Sequence, residues 1–140
     1  MRREEYPSHS TPFPNWLLDK LMPDLRDTEW RLICVIVRQT LGWRDPQTGK
    51  RKQMDWLTQG QLKRRTGRAS EAISHAIDAL VRQGIIEVVD NSGAIYESAD
   101  ERRRCTKNLY YRLAAREAGG ELLRKPNTEK RIQQKKPITK

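Results

Sequence analysis

The residues best suited to chemistry in this chain are short polar side chains on one helical pattern between residues 70 and 82. These residues are Ser70, Glu71, Ser74 and His75. They lie on the side of the predicted helix opposite its apolar stripe. Hydroxyl, carboxylate and imidazole groups on an exposed helix face can hydrogen-bond to base edges in the major groove of a DNA duplex. These four residues are therefore predicted to be base-proximal DNA-binding residues.

Basic residues surround this helical pattern in two groups, one on the preceding pattern and its turn and one near residue 104. Lysine and arginine side chains neutralise backbone phosphates and hold a protein on nucleic acid without reading its sequence. The residues predicted to contact phosphate are Lys63, Arg64, Arg65, Arg68, Arg102, Arg103, Arg104 and Lys107.

Two short helices joined by a tight turn would present these side chains. Thr58 is a good N-cap for the first helix and Gly67 a good terminating residue. Ser70 opens the second helix, which is amphipathic, and Gly84 ends it. The β-branched run 85–89 that follows is typical of a strand, so the pattern predicts a winged helix-turn-helix.

Two further helical patterns precede this motif and supply apolar residues for a core. The short one runs from Asn15 to Met22 and is expected to end at Pro23. The long one is expected to have Asp27 as its N-cap and Gly42 at its end. Its apolar residues follow the helical period, which predicts the helix on which the core is built.

The predicted fold class is mainly α with a small β-hairpin. Residues 53–57 and 109–113 are strand candidates, and residues 90–108 are expected to form the wing, with 94–96 extending the hairpin. The loop 44–52 carries four cations and could contact phosphate. Trp43 and Trp56 flank this loop, where anchoring is favoured over stacking on bases.

The chain divides into three predicted segments. Residues 1–13 are expected to be an irregular N-terminal arm, residues 14–113 the DNA-binding domain, and residues 114–140 a basic, disordered tail. The start of the tail could form one or two helical turns interrupted by Gly119 and Gly120.

The composition favours a polyanionic partner. The chain has 140 residues, a formal net charge of +10 and a pI near 10.0, so the candidate partners are nucleic acid, an anionic membrane surface and an acidic protein. No apolar run approaches the ~20 residues of a membrane span, and residues 1–15 lack the apolar core of a signal peptide. A cytoplasmic protein without a membrane partner is expected.

No catalytic, metal or cofactor site is predicted. Cys34 and Cys105 belong to no zinc-binding motif, and the only histidines are His9 and His75, which cannot supply the adjacent pair of a metal nuclease. A phosphate-cradling glycine loop is also lacking. Tyr110–Tyr111 resembles a nucleophilic pair only superficially, because one of two adjacent strand residues faces the core.

Three motifs follow one another within residues 11–90: the opening PNWLLD, a helix ending in RQTLGW, and the run LTQGQLKRRTGRASEAISHAIDALVRQGII. In this order they resemble the N-terminal origin-binding domain of the phage replication protein O family. The resemblance implies a winged-helix domain that recognises repeated sites in a replication origin, often as a homodimer, and helps to load the replicative helicase. It also implies a turn at Thr66–Gly67 and a recognition helix over residues 70–83.

The leading hypothesis is thus a non-enzymatic, sequence-specific double-stranded DNA-binding protein of the replication-initiator type, from a phage or other mobile element. A transcriptional regulator with the same fold shares the groove chemistry and stays as an alternative. A protein-interaction adaptor with a nonspecific basic tail is a second alternative, because fold alone does not determine function.

Overall fold

The computed structural model describes residues 9–125, which form helices and a small antiparallel sheet, as expected. A π-helical turn (Leu17–Leu21) and a 3-10 turn (Met22–Asp24) come first. The α-helices are α1 (Asp27–Gln39), α2 (Gln59–Thr66), α3 (Ser70–Arg82) and α4 (Ala99–Arg104). The strands are β1 (Asp55–Trp56), β2 (Ile86–Val89), β3 (Tyr110–Leu113), β4 (Arg116–Ala118) and β5 (Glu121–Leu123).

The end of the first helical segment and the start of α1 both differ from the prediction. Pro23 lies inside the 3-10 turn, at one of its first positions, where no backbone N–H is needed. The N-cap of α1 is Arg26 rather than Asp27. The backbone N–H of Arg26 donates to Glu29 Oε1 at 3.1 Å, so a buried carboxylate satisfies a donor at the start of the helix.

The start of α2 and the turn that follows it are as predicted. Thr58 Oγ1 accepts a hydrogen bond from Gln61 N at 3.1 Å, and Gln61 Oε1 accepts one from Thr58 N at 2.8 Å. Gly67 ends the helix with a φ of 71°, a left-handed conformation that glycine adopts without strain. Ala69 is the N-cap of α3, and Gly84 follows its last turn with the same φ.

The core lies where α1, α3 and the three-stranded sheet meet. The strand order is β1–β3–β2, antiparallel throughout, with Val88 opposite Tyr111. The apolar stripe of α3 is fully buried at Ile73, Ile77 and Leu80. Strands β1 and β3 fall within the two predicted strand candidates, so the alternation of side chains was sufficient to find them.

The segment 90–108, which was expected to form the wing, contains the helix α4. Ser98 caps α4, because its Oγ accepts from Glu101 N and Glu101 Oε1 accepts from Ser98 N, each at 3.1 Å. Val89 and Ile95 form a bridge that extends the hairpin, as predicted. Asp90 closes the turn between them. The Ser92 hydroxyl donates to its carboxylate, as do backbone N–H groups, and these bonds hold the pKa of Asp90 well below its usual range.

Residues 114–125 form a β-hairpin, not the helical turns expected at the start of a disordered tail. Strands β4 and β5 are antiparallel, and Gly119–Gly120 form the turn at positive φ. The hairpin returns to the end of α3, where Lys125 N donates to Gly84 O at 3.1 Å. Lys20 Nζ pairs with Glu117 Oε2 at 2.6 Å. The remainder of the predicted arm and tail, residues 1–8 and 126–140, lies outside the described residues.

Among residues 9–125, none of the helices combines the length and the apolar character that crossing a bilayer requires.

Candidate nucleic-acid interface

The four residues predicted to be base-proximal lie together along one groove. Its volume is about 640 Å³, and α3, α4 and the region of Tyr111 form its walls. Ser70, Glu71 and His75 are exposed and Ser74 is half-buried. His75 Nε2 lies 3.7 Å from Glu71 Oε1 across one turn of α3. This groove presents hydroxyl, imidazole and carboxylate groups to solvent at the start of a helix.

The cations of α2 are exposed. Lys63 and Arg64 have no carboxylate partner among the described residues. Arg65 Nη1 donates to Gln39 Oε1 at 2.6 Å. Burial lowers the pKa of Arg65, as does the neighbouring Arg38. A guanidinium stays charged at neutral pH nevertheless, so α2 carries three cations close to the first turn of α3.

The turn between α2 and α3 is fixed to α1 by charged side chains. Arg68 Nη2 donates to Asp27 Oδ2, and Arg31 Nη1 donates to Thr66 O at 2.7 Å. Arg31 Nε also pairs with Asp27 at 3.0 Å. The hydrogen bonds from Arg68 and Arg31 lower the pKa of Asp27. Arg68, predicted as a phosphate contact, is thus engaged in holding the turn that sets the position of α3.

Arg102, also predicted to contact phosphate, is buried beneath the groove. Only 7% of its side chain is exposed, and the nearest carboxylate oxygen is Asp78 Oδ1, at 3.7 Å from Nη2. Neither Nη1 nor Nη2 has a hydrogen-bond partner among the described residues. Burial lowers the pKa of Arg102, and burial also raises the pKa of the nearby Tyr111 to about 12. The Arg102 guanidinium is therefore buried at the wall of the groove, unlike the exposed Arg103 side chain that also lines it.

The remaining cations of the second group are on the surface. Arg103 pairs with Asp100 but is 66% exposed, and Lys107 Nζ lies 3.9 Å from Asp90 Oδ2. Arg104 is exposed, and no carboxylate in the described part of the chain pairs with it. Exposed ion pairs contribute little, so Arg103 can exchange Asp100 for phosphate at small cost. The Lys107 side chain is also exposed, but the Asp90 carboxylate near it is buried.

Asp78, an acidic residue on α3, is neutralised within the protein. Its Oδ2 lies 3.1 Å from Arg82 Nε, and its Oδ1 lies 3.7 Å from Arg102 Nη2. A carboxylate flanked by two guanidinium groups repels an approaching phosphate less than an isolated one. This arrangement reduces the electrostatic conflict between α3 and a polyanion.

Helix α4 is the part of the site that the sequence interpretation missed, although a signal for it was present. Ser98 and Glu101 have the spacing of a capping box, which marks a helix start. Because the sequence after residue 90 has a low apolar content, this segment was predicted to be the wing and no helix was predicted in it. Among residues 9–125, no group of three or more His, Cys, Asp or Glu side chains is placed to hold a metal ion.

Comparison with known proteins identified no relative. The chain matches no protein-family model, and no curated protein or solved structure is significantly similar to it.

The Arg102→Met protein is expected to be more stable than the wild type by about 1 kcal/mol. Methionine keeps an unbranched apolar stem while removing two buried donors that have no hydrogen-bond partner among the described residues, and a buried donor without a partner costs about 1–3 kcal/mol. Asp78 retains Arg82 as a partner. Urea unfolding would measure the change. The exposed Arg103→Met variant is the control and should stay within about 0.5 kcal/mol of wild type. A loss of stability in Arg102→Met would contradict this interpretation of the buried guanidinium.

Proposed function

We propose that this protein is a sequence-specific double-stranded DNA-binding protein with a winged helix-turn-helix domain. Helix α2, the Gly67 turn and α3 are the helix-turn-helix, and α3 is the recognition helix that enters the major groove. The β2–β3 connection with α4 is the wing. Ser70, Ser74 and His75 read base edges, and Glu71 accepts a hydrogen bond from cytosine N4.

One observation carries the proposal. The exposed side of α3 presents its hydrogen-bonding side chains in one groove, directly after a helix on which Lys63 and Arg64 face solvent without a carboxylate partner among residues 9–125. A surface that binds a duplex selectively needs hydrogen-bonding groups for the base edges and unpaired cations for the phosphates. Base contacts give sequence specificity, and phosphate contacts position the protein on the duplex. Arg103, Arg104 and Lys107 add phosphate contacts from α4 and the residues that follow it.

The role in replication is supported by the order of elements in residues 11–90. That order, with RQTLGW closing the core helix ahead of the helix-turn-helix, is the basis of the resemblance to phage replication protein O. We therefore place the DNA site in a replication origin of a phage or other mobile element. The recruitment of a replicative helicase or its loader follows from the same resemblance.

The test is selection of preferred duplexes from a random library, followed by titration at several salt concentrations. With three to five phosphate contacts, the logarithm of the association constant should fall against that of salt concentration with a slope of about −3 to −5. The selected duplex should bind at least ~100-fold more tightly than a random one, because specific sites typically exceed nonspecific ones by more than that. A response independent of salt, or a library with no enriched sequence, would refute DNA reading by this domain.

A further inference from the structure

Residues 44–52, expected as a loop, form an ordered ribbon together with Trp43. Lys52 N donates to Trp43 O at 2.9 Å, and Asp45 N donates to Lys50 O at 2.9 Å. Arg44 and Arg51 form an antiparallel bridge between these bonds. Gly49 N closes the tip by donating to Asp45 O at 2.8 Å. The backbone bonds hold the cations of this ribbon in a defined arrangement next to Trp43.

Trp43 does not anchor the ribbon in the core. Trp16 and Trp30 pack against the buried core residues, whereas Trp43 is 53% exposed. The guanidinium carbon of Arg38 lies 5.5 Å from the centroid of the Trp43 ring. This cation covers part of the indole and leaves the rest open to solvent. An exposed aromatic ring stabilised by a cation is a suitable surface for another flat ring.

A cleft of about 450 Å³ adjoins this ring, and cations line it. Arg44, Lys50 and Lys52 come from the ribbon, as does the single carboxylate, Asp45. Arg44 and Lys50 are exposed and have no carboxylate partner in the described part of the chain. Lys52 Nζ pairs with Asp55 Oδ2 at 3.1 Å. The cleft thus combines one open aromatic ring with two available cations.

The cleft is connected to the helices of the proposed duplex interface through Gln39. Gln39 Nε2 donates to Asp55 Oδ2 at 2.7 Å, and Gln39 Oε1 accepts from Arg65 Nη1 at 2.6 Å. Arg38 lies near enough to Arg65 to affect its pKa. Arg65 on α2 and Arg38 near the end of α1 therefore place positive charge between the proposed duplex interface and Trp43, with the Asp55 carboxylate bound to Gln39 beside them.

We propose that the cleft at Trp43 binds an unpaired nucleotide of single-stranded DNA. The base stacks on the open part of the Trp43 indole, and Arg44 and Lys50 hold the phosphates on either side of it. Stacking on an aromatic ring tolerates any base, so this site contributes affinity for unpaired DNA without sequence preference. The proposal rests on the proposed function, which it extends from duplex DNA to a duplex with an adjoining single strand.

The experiment compares the binding of fluorescently labelled dT12 and a 20-base-pair duplex by the full chain and its variants. Trp43→Ala should weaken dT12 binding about tenfold, as expected for the loss of one stacked base, and should leave duplex affinity within about twofold. Trp43→Phe keeps an aromatic ring and should retain most of the dT12 affinity. Trp56→Ala is the matched control, because Trp56 is 40% exposed but does not line the cleft, and it should bind dT12 as the wild type does.

Intrinsic fluorescence gives a second measurement. Saturating dT12 should quench part of the wild-type tryptophan emission, and Trp43→Phe should abolish that quenching. Equal dT12 affinity of Trp43→Ala and wild type would overturn the proposal, as would equal losses in Trp43→Ala and Trp56→Ala. Tighter binding of rU12 than of dT12 would overturn the assignment to DNA.

The two proposals fail separately. A chain that binds the duplex selectively but shows no Trp43-dependent binding of dT12 retains the proposed function and overturns this inference. A chain that binds dT12 through Trp43 but has no preferred duplex supports the cleft and refutes sequence-specific duplex binding.

Discussion

The double variant Lys63→Ala/Arg64→Ala should bind every duplex, selected or random, on the order of 10- to 30-fold more weakly at about 0.15 M salt. Both side chains are exposed on α2 and have no carboxylate partner within residues 9–125. The expected loss of DNA affinity therefore comes from the loss of their contacts with phosphate. The slope of affinity against salt should become shallower by about 2, because each phosphate contact contributes about 0.9 to it. The ratio between selected and random duplexes should be unchanged.

A charge-matched control is available on the hairpin. Arg116 and Arg124 are exposed, and their segment meets the C-terminal end of α3 through Lys125 and Gly84. The Arg116→Ala/Arg124→Ala protein loses the same net charge but should bind DNA within about threefold of wild type at the same salt, because charges beyond a Debye length are screened. Equal losses in the two double variants would mean that net charge, and not the position of α2, governs binding.

His75→Ala should change which sequence is preferred, costing about 1–3 kcal/mol of discrimination at one base pair of the selected site. The His75 side chain is 80% exposed in the groove and one turn from Glu71, where its ring nitrogens are free to meet a base edge. Ser74→Ala should have the same kind of effect at a neighbouring base pair. Affinity for random duplexes should stay near the wild-type value, because nonspecific binding depends on phosphate contacts.

Repeating the library selection with each variant measures this effect directly. Arg82→Ala is the control on the same helix, since Arg82 is exposed in the last turn of α3 and does not line the groove. It should select the wild-type sequence, and any loss of affinity should be the same for all duplexes, because Asp78 loses one neutralising partner without a change in the groove residues. If His75→Ala and Ser74→Ala also select that sequence with unchanged affinity, α3 does not read DNA through this face.

Local signals in the sequence were sufficient for the central elements. Thr58 is the N-cap expected at the start of α2, and Gly67 takes the positive φ that its position requires. The apolar period of α3 identified the buried stripe. Caps, turns and periodicity depend on neighbours within a few residues, which explains why these predictions were confirmed.

Predictions that depended on distant contacts were less successful. Helix α4 buries Arg102 against Asp78, a contact between residues far apart in the chain, and the pattern RRRC by itself gave only a basic loop. The hairpin after residue 114 consists of two short strands, β4 and β5, and was expected as part of a tail. The hairpin packs against the rest of the protein through the Lys125–Gly84 hydrogen bond and the Lys20–Glu117 ion pair. These contacts join distant parts of the chain, so no local sequence pattern predicts them.

The sequence by itself determined the helix-turn-helix pair, its caps, its buried stripe and the excess of positive charge, because these follow from residue type and short-range spacing. Only the tertiary structure decided which cations are available. Arg68 is bound to Asp27 and Arg102 is buried, whereas Lys63, Arg64 and Arg104 face solvent. It also decided that Trp43 stands exposed beside a cationic cleft. Whether a charged group or an aromatic ring is accessible depends on which other elements pack against it. Packing brings together residues that are far apart in the sequence, so local sequence patterns do not predict these contacts.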